Sequence, residues 1–278
     1  MNTIFDQMMS RYEIKSSDDK NNALHEVMQQ ITLAGLYRAG FFHKAAFYGG
    51  TCLRIFHGLP RFSEDMDFTL LQAQDGFLLE NYFDAIQNEF LALGREVVIT
   101  KKDKLKHANI ESAFLKDNTE IYTIGFRTER TIKIKIEVDI NPPLEFSTEQ
   151  KIQLLPFSFA TRCMTKSCLF AGKMHALLFR NWKTRVKGRD WYDFEWYIRN
   201  YTPLDFKHLQ ERTKQCNSVD GEFNKSVFIQ LLKQKFVSTN IERVKADVLP
   251  FIKNPQELHI WSNDYFLQLA DMIVFKED

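Results

Sequence analysis

Residues 45–70 read AAFYGGTCLRIFHGLPRFSEDMDFTL and contain several local patterns in succession. A short apolar run over 45–48 predicts a strand, because it is brief and is ended by two glycines. The segment after the glycines has the apolar spacing of a helix. Over 65–70, acidic or hydroxyl residues alternate with apolar ones, and this period of two predicts a second strand. The stretch therefore predicts a strand, a tight glycine turn, a helix and a strand.

The regions on either side supply further helices and strands. Residues 20–40 repeat apolar positions at helical spacing, and the polar residues just before them are typical of a helix start. A helix is also predicted over 77–93, and strands are predicted over 96–100, 121–127 and 132–140. We therefore expect an α+β (mixed α/β) fold, in which a mixed sheet is flanked by helices.

Two lobes are expected along the chain. From about Thr165 onward the pattern is helical with little strand signal. Segment 141–156 contains several prolines and is the predicted junction. We predict a first domain over 1–155 that contains the sheet, followed by a mainly helical C-terminal lobe over 156–278.

The composition excludes several classes of protein. The chain has 278 residues, with 37 Lys and Arg against 36 Asp and Glu, 44% hydrophobic residues and a formal net charge of +1. This balance excludes a highly charged disordered chain and a polycation that binds nucleic acid by total charge, so any nucleic-acid contact must be local. No apolar stretch approaches the roughly 20 residues needed to cross a bilayer, and the start lacks a signal-peptide pattern. We expect a cytoplasmic protein without membrane contact, with four reduced cysteines.

Asp65 and Asp67 are the first candidate functional residues. Residues two apart in a strand point the same way, so the two carboxylates would project from one face, close enough to share divalent cations. Gly50 and Thr51 open the predicted helix, where backbone N–H groups, the helix dipole and a hydroxyl favour a phosphate. Phosphate and metal sites would then adjoin. Taken singly, the glycines also fit an ordinary turn and the aspartates a solvated strand edge.

Lys135, Glu137 and Asp139 share the polar face of the strand predicted over 132–140. If this strand pairs with the one over 65–70, a third carboxylate joins the first two. Three carboxylates are a ligand set for two Mg²⁺ ions in phosphoryl-transfer enzymes. Glu137 and Asp139 face the same way, so either could be the third ligand. A solvated strand face with a Lys–Glu pair explains the same pattern, and both interpretations stay open.

A basic segment forms a third group. Between Glu149 and Asp190 the chain contains nine Lys and Arg residues and no acidic residue. The positive electrostatic potential of such a segment suits a triphosphate or a nucleic-acid backbone, although a solvated basic helix surface has the same pattern. Asp190 and Asp193, three residues apart on one helical face, could orient these cations or contact a nucleotide. The nine cations are Lys151, Arg162, Lys166, Lys173, Arg180, Lys183, Arg185, Lys187 and Arg189.

Signatures of several other enzyme classes are missing from the sequence. His175 lies in an apolar helical stretch and is expected to pack in the core, and the other six histidines have no metal-binding spacing. There is no Gly-x-Ser-x-Gly elbow, Walker lysine loop or GxGxxG fingerprint, which argues against hydrolase, P-loop and dinucleotide-binding functions.

Five short motifs follow one another between about residues 45 and 198. They are Gly49-Gly50-Thr51, Arg61-x-Ser63-x-Asp65-x-Asp67-Phe68, Lys135-x-Glu137, Lys173-x-x-Ala176 and Arg189-Asp190-x-x-Asp193. In this order they resemble the AbiEii-type nucleotidyltransferase family, the toxins of type IV toxin–antitoxin and abortive-infection systems, within the polymerase-beta-like superfamily. Thr51 stands where the family usually has serine, a change that keeps the hydroxyl.

The resemblance implies roles for both predicted domains. A nucleotidyltransferase core over 1–155 would carry the metal site, and the helical lobe over 156–278 would contribute nucleotide-phosphate and acceptor contacts. Two Mg²⁺ ions would be held by carboxylates. The implied metal ligands are Asp65, Asp67 and Glu137 or Asp139. The implied catalytic residues are these four with Lys173 and Asp190, and the implied nucleotide-binding residues are Gly49, Gly50, Thr51, Arg61, Ser63, Lys173, Arg189 and Asp193.

The implied reaction is transfer of an NMP from an NTP to an acceptor hydroxyl, by in-line attack on the α-phosphate with pyrophosphate leaving. The family suggests RNA, especially the tRNA 3′ end, as the acceptor, and the basic segment gives that suggestion a physical basis. A small-molecule or protein acceptor, and a non-catalytic nucleotide- or RNA-binding module, stay open. The resemblance also implies toxicity and a cognate antitoxin.

Overall fold

A computed structural model describes residues 3–101, 119–126, 133–143, 145–180, 186–219 and 221–277. Within these residues, seven strands form one sheet with the order β3-β4-β5-β2-β1-β7-β6. The strands are Ala45–Tyr48 (β1), Asp65–Leu70 (β2), Val97–Lys101 (β3), Thr119–Phe126 (β4), Lys133–Asp139 (β5), Thr148–Gln153 (β6) and Phe159–Met164 (β7).

Helices follow and separate the strands in the same described parts of the chain. The α-helices are Ile4–Met9 (α1), Ser17–Arg38 (α2), Gly49–His57 (α3), Phe83–Ala92 (α4), Lys166–Phe179 (α5), Gly188–Arg199 (α6), Phe206–Gln215 (α7), Lys225–Ser238 (α8), Ile241–Val248 (α9) and Asn263–Asp271 (α10). Short 3₁₀ helices span Phe41–His43, Leu79–Tyr82, Leu249–Phe251 and Pro255–Leu258.

The sheet is mixed, as the sequence predicted. Strand β2 pairs with β1 in the antiparallel sense and with β5 in the parallel sense. Strand β4 is antiparallel to both β3 and β5, and β1 is parallel to β7. Buried and partly exposed residues alternate throughout β5 and over Asp65–Phe68 of β2, which confirms the predicted pattern there, whereas the last three residues of β2 are all buried. The polar faces of β2 and β5 therefore lie side by side.

The main differences from the sequence predictions are the start of one helix and two additional strands. The helix predicted over 77–93 begins as the 3₁₀ helix Leu79–Tyr82, and α4 starts only at Phe83. Strands β6 and β7 were not predicted. Strand β6 has little apolar signal, because it is a polar sheet edge in which only Gln153 is buried, whereas the alternating burial of β7 was a signal that was missed. The strands over 45–48 and 65–70 are confirmed at those residues, whereas the last residue of the predicted strand over 121–127 and the first of the strand over 132–140 lie outside the described residues.

The chain forms two compact units, each assembled from separate stretches. The first comprises Met1–Cys52, Glu64–Pro142 and Thr148–Cys163, and contains nearly all of the sheet. The second comprises Leu53–Ser63, Pro143–Ser147 and Met164–Asp278, and contains α5 to α10. The functions predicted for 1–155 and 156–278 stay predictions.

Aromatic side chains fill the core of the first unit around β2. The rings of Phe47 and Phe68 stack with centroids 5.0 Å apart, and Phe41 meets Phe68 edge-on at 5.1 Å. All three side chains are fully buried. This packing fixes the buried face of β2, and with it the direction of its polar face.

The second unit has its own aromatic core around α6. Trp191 and Phe194 of α6 contact Phe236 of α8, with ring centroids 4.7 and 5.3 Å apart, and both also contact Phe266 of α10. Trp191, Tyr192, Trp196 and Tyr197 of α6 are all buried. These ring contacts fix the position of α6, and with it the positions of Asp190 and Asp193 on the same helix.

Candidate active site

Neighbouring strands β2 and β5 carry a group of carboxylates on their shared polar face. In the parallel register of β2 and β5, Asp65 is opposite Lys135 and Asp67 is opposite Glu137. Asp65, Asp67 and Glu137 are all half-buried, and the apolar residues that alternate with them, Met66, Phe68, Ile136 and Val138, are fully buried. The pairing that the sequence could only assume is therefore present, and it brings Glu137 beside the two aspartates.

Asp139 occupies a different position on the same face. It lies opposite Thr69, one step further along β2 than the Asp67–Glu137 pair. Its Oδ1 accepts the backbone N–H of Asn141 at 3.1 Å, where β5 ends. Of the two acidic residues that the sequence left open, Glu137 is the direct neighbour of Asp67.

Gly49 allows the Asp67 carboxylate to approach the start of α3. The glycine has a φ of 79°, in the left-handed region, and a Cβ atom there would lie 2.1 Å from Asp67 Oδ2. Gly50, the next residue, is half-buried in the first turn of the helix. The first glycine of the motif is thus required by a contact with the predicted metal-binding residue.

Thr51 and Gln29 position the beginning of β2. The buried Thr51 hydroxyl donates a hydrogen bond to the backbone carbonyl of Asp65. The Gln29 Nε2 of α2 donates to the carbonyl of Glu64 at 3.0 Å. The Thr51 contact with a triphosphate stays a prediction, but its hydroxyl already anchors the strand that carries Asp65. Gln29 was missed, although a glutamine among the apolar positions of a helix was a signal for such a contact.

Lys135 forms an ion pair with Glu137 on the same face of β5. Burial would lower the pKa of the Lys135 ammonium group, but the hydrogen bond and charge of Glu137 outweigh it, so the pKa lies above its ordinary value. Asp65 and Asp67 act in the same direction more weakly. The Lys–Glu pair that the sequence allowed is therefore present, and it lies within the group of carboxylates.

The donor atoms of this group suit a hard cation. Carboxylate oxygens are the ligands that Mg²⁺ prefers in proteins. As the side chains are arranged, no three His, Cys, Asp or Glu residues in the described parts of the chain converge as a ready metal site. Glu137 is instead held by Lys135. The carboxylate oxygens of Asp65, Asp67 and Glu137 fit Mg²⁺. To act as the third ligand, Glu137 would have to exchange its ion pair with Lys135 for the metal.

Four other predicted site residues form a buried ionic cluster in the second unit. Arg61 makes a two-point contact with Asp193, and its Nη1 donates to the carbonyl of Phe62 at 2.9 Å. Lys173 Nζ lies 2.8 Å from Asp190 Oδ1 and 2.8 Å from Asp193 Oδ2. We refer to Arg61, Lys173, Asp190 and Asp193 as the buried ionic cluster.

Each charge in the buried ionic cluster is stabilised by its neighbours. Burial would raise the pKa of Asp190, but Lys173 and Lys187 outweigh it and lower the pKa to about 2. Asp193 follows the same pattern: burial opposes the shift, and Arg61 with Lys173 holds its pKa below the ordinary value. The cluster is therefore two cations and two anions at neutral pH. Contacts of its members with a nucleotide stay predictions.

The remaining predicted residues lie around the start of α6 and before β2. The Arg189 guanidinium lies over the Phe251 ring, 4.1 Å from its centroid. Burial lowers the pKa of Lys187 to about 8. Ser63 is half-buried just before β2. Of the basic segment, Lys183 and Arg185 lie outside the described residues.

A family model described as nucleotidyl transferase AbiEii toxin, type IV toxin–antitoxin system, matches residues 31–278. The chain belongs to the AbiEii nucleotidyltransferase toxin family. It is therefore a nucleotidyltransferase, and membership in a toxin–antitoxin family implies an antitoxin as a partner. None of the helices in the described ranges is both long and apolar enough to cross a membrane.

Solved structures share the fold. JHP933 from Helicobacter pylori is 18% identical, with 90% of this chain and 89% of that chain covered and a TM-score of 0.50. MenT4, a nucleotidyltransferase toxin from Mycobacterium tuberculosis, is 14% identical, with 95% and 98% covered and a TM-score of 0.51. At these identities the likeness concerns the fold alone. Among curated proteins, no relative of the chain was found.

Proposed function

We propose that the protein transfers an NMP from an NTP to a hydroxyl of RNA, with the tRNA 3′ end as the acceptor, in a Mg²⁺-dependent reaction. The observation that carries this proposal is the register of β2 and β5, which puts Glu137 beside Asp67 on the face that also carries Asp65. Because the chain belongs to a nucleotidyltransferase family, we assign these carboxylates to metal binding in nucleotidyl transfer. We further propose that the enzyme acts in the cytoplasm as the toxin partner of an antitoxin.

In the proposed reaction, the acceptor oxygen attacks the α-phosphorus in line with the bond to the β-phosphate. The new P–O bond forms as the old one breaks, pyrophosphate leaves, and the hydroxyl proton passes to a carboxylate of the site. Asp65, Asp67 and Glu137 would hold two Mg²⁺ ions, which supply charge stabilisation to the phosphates when bound. The protein contributes mainly by positioning the carboxylates, because Thr51 and Gln29 hold the start of the strand that carries Asp65.

The proposed RNA acceptor is supported by the basic segment. Arg162 and Lys166 are half-buried and Arg180 is exposed, and no acidic residue lies between Glu149 and Asp190. Phosphate contacts by Lys and Arg give affinity for RNA that falls steeply with salt. Lys151 contributes less to this field, because it pairs with Glu149 at 2.9 Å.

The test is incubation of the protein with total tRNA, Mg²⁺ and each α-³²P-labelled NTP in turn, followed by a denaturing gel. We expect label on the RNA with the wild type and none with Asp65→Ala. Asp84→Ala removes an exposed carboxylate of α4 and should label RNA as the wild type does.

The other outcomes of this assay separate the alternatives. Pyrophosphate release without labelled RNA would point to a small-molecule or protein acceptor. Nucleotide binding without any pyrophosphate release would contradict the proposal and favour a binding module. Full activity of Asp65→Ala would contradict the assignment of the metal site.

A further inference from the structure

Lys135 is a cation within the carboxylate group. Its position opposite Asp65 is set by the parallel register of β2 and β5, and its ammonium group pairs with Glu137 Oε1. The side chains of Lys135 and Glu137 are 34% and 27% exposed, so both are partly withdrawn from solvent. The strand register fixes the backbone of this lysine beside the carboxylates.

The charges around Lys135 are those of the predicted metal ligands. Glu137 interacts with it most strongly, followed by Asp65 and then Asp67. Three carboxylates on one face repel one another, and a single ammonium group offsets part of that repulsion. Lys135 therefore stabilises the carboxylate group without a metal.

The same position opposes the binding of a divalent cation. A metal shared by Asp65, Asp67 and Glu137 needs the Glu137 carboxylate, and Lys135 now holds an oxygen of that carboxylate. Two cations beside one carboxylate repel each other strongly in a partly buried site. The ammonium group must release Glu137 before that residue can complete the metal site.

We propose that Lys135 is the built-in counter-ion of this metal site, which neutralises the carboxylates of the metal-free enzyme and weakens its affinity for Mg²⁺. The inference rests on the proposed function, because that function assigns the metal to Asp65, Asp67 and Glu137. Lys135 acts here through Glu137 and is a positioning residue. A flexible lysine stem allows the released ammonium group to turn toward other anions.

The test measures binding of Mn²⁺, as a probe for Mg²⁺, to the full chain without nucleotide, by the EPR signal of unbound Mn²⁺. Lys135→Met and Lys135→Gln remove the charge, and Lys135→Arg keeps it. Lys133→Met is the matched control, since Lys133 is exposed on the same face of β5, one position before Lys135 on that face. Binding that is lost in Asp65→Ala identifies the site.

We expect both neutral variants to bind Mn²⁺ about tenfold more tightly than the wild type, and Lys135→Arg and Lys133→Met to stay within about twofold. In EDTA the neutral variants should melt at lower temperature than the wild type, and Mg²⁺ should raise their melting temperature by more. The gain in affinity and the loss of metal-free stability must occur together, because both come from one charge.

Two results overturn the inference in distinguishable ways. If the wild type binds Mn²⁺ and the neutral variants bind equally or more weakly, Lys135 is not a competing counter-ion, while the metal site of the proposed function stands. If no protein binds Mn²⁺, the wild type included, the metal site itself fails and the role of Lys135 fails with it.

Discussion

Arg61 and Asp193 lie 132 positions apart in the sequence and form a two-point ion pair, with Nε–Oδ1 and Nη2–Oδ2 distances of 2.5 and 2.6 Å. The side chains are 2% and 0% exposed. Lys173 reaches the same aspartate from α5. A buried charge is tolerated only while its partners are in place, so this pair ties the segment before β2 to α6 within the second unit.

We expect Arg61→Met to lower the free energy of unfolding by about 3–5 kcal/mol, because it leaves a buried carboxylate with only Lys173 to compensate it. Urea unfolding at pH 7 measures the change. Lys207→Met is the control, since it breaks an ion pair with Glu145 in which the side chains are 65% and 48% exposed. Such a pair is worth roughly 0–1 kcal/mol. Equal losses in the two variants would contradict the structural importance of the buried pair.

The sequence predicted the strands of the site well, because their signal is local. Alternation of polar and apolar residues located β2 at its observed bounds and put Asp65 and Asp67 on one face. It also gave β5 to within one residue at its C-terminal end. The pairing of β2 with β5 was only assumed, since the polar–apolar pattern of one strand does not show which distant strand it pairs with.

The buried ionic cluster was harder to predict for a physical reason. Arg61, Lys173, Asp190 and Asp193 have the charges expected of nucleotide contacts, and the same charges satisfy one another when folding buries them. Composition and spacing are identical in the two cases. Only the three-dimensional structure shows that Asp193 holds both cations.

Gly49→Ala should disable the active site while leaving the fold intact. The new Cβ would meet the Asp67 carboxylate at 2.1 Å, so that carboxylate must move. A displacement of about 1 Å at a reacting group can reduce the rate about a hundredfold. The measurement is the rate of nucleotidyl transfer, with the fold checked by circular dichroism.

Gly76→Ala is the matched control for Gly49→Ala. Gly76 also has a left-handed backbone, with a φ of 71°, but nothing lies within 4 Å of a Cβ placed there. Both variants should lose about 1–2 kcal/mol of stability from the positive φ. Only Gly49→Ala should lose activity, and equal activity in the two would show that the contact with Asp67 does not matter.

Thr51→Val and Thr51→Ser separate the hydroxyl of Thr51 from its methyl group. Valine keeps the shape but leaves the Asp65 carbonyl without the hydroxyl donor, which should cost about 1–3 kcal/mol and shift the start of β2. Serine keeps the donor and loses one buried methyl, about 0.8 kcal/mol. We expect nucleotidyl transfer to fall about tenfold in Thr51→Val, in line with the loss of one such hydrogen bond, and to persist in Thr51→Ser. Loss of activity in the serine variant alone would contradict this role.

His175 and His208 should make the protein less stable as the pH falls. Burial lowers the pKa of each to about 3, and repulsion by Arg212 adds to the effect. Arg180 also repels the charged form of His175, while Asp205 weakly favours that of His208. Below pH 6.5 the two histidines become protonated in the unfolded chain but stay neutral in the folded one. Their contribution to the free energy of unfolding is therefore fully present above pH 6.5 and is lost as the pH falls toward 3.

Urea unfolding between pH 7.5 and 4.5 tests the two histidines. Each should contribute a slope of up to about 1.4 kcal/mol per pH unit, and His175→Leu with His208→Leu should remove both contributions. Asp190, whose pKa is lowered from 3.8 to about 2, contributes to the slope only below about pH 5, and it contributes equally in the wild type and the double variant. His259→Gln, at an exposed position, is the control and should keep the wild-type slope. If the double variant lost stability as steeply as the wild type, the acid sensitivity would have to come from other groups.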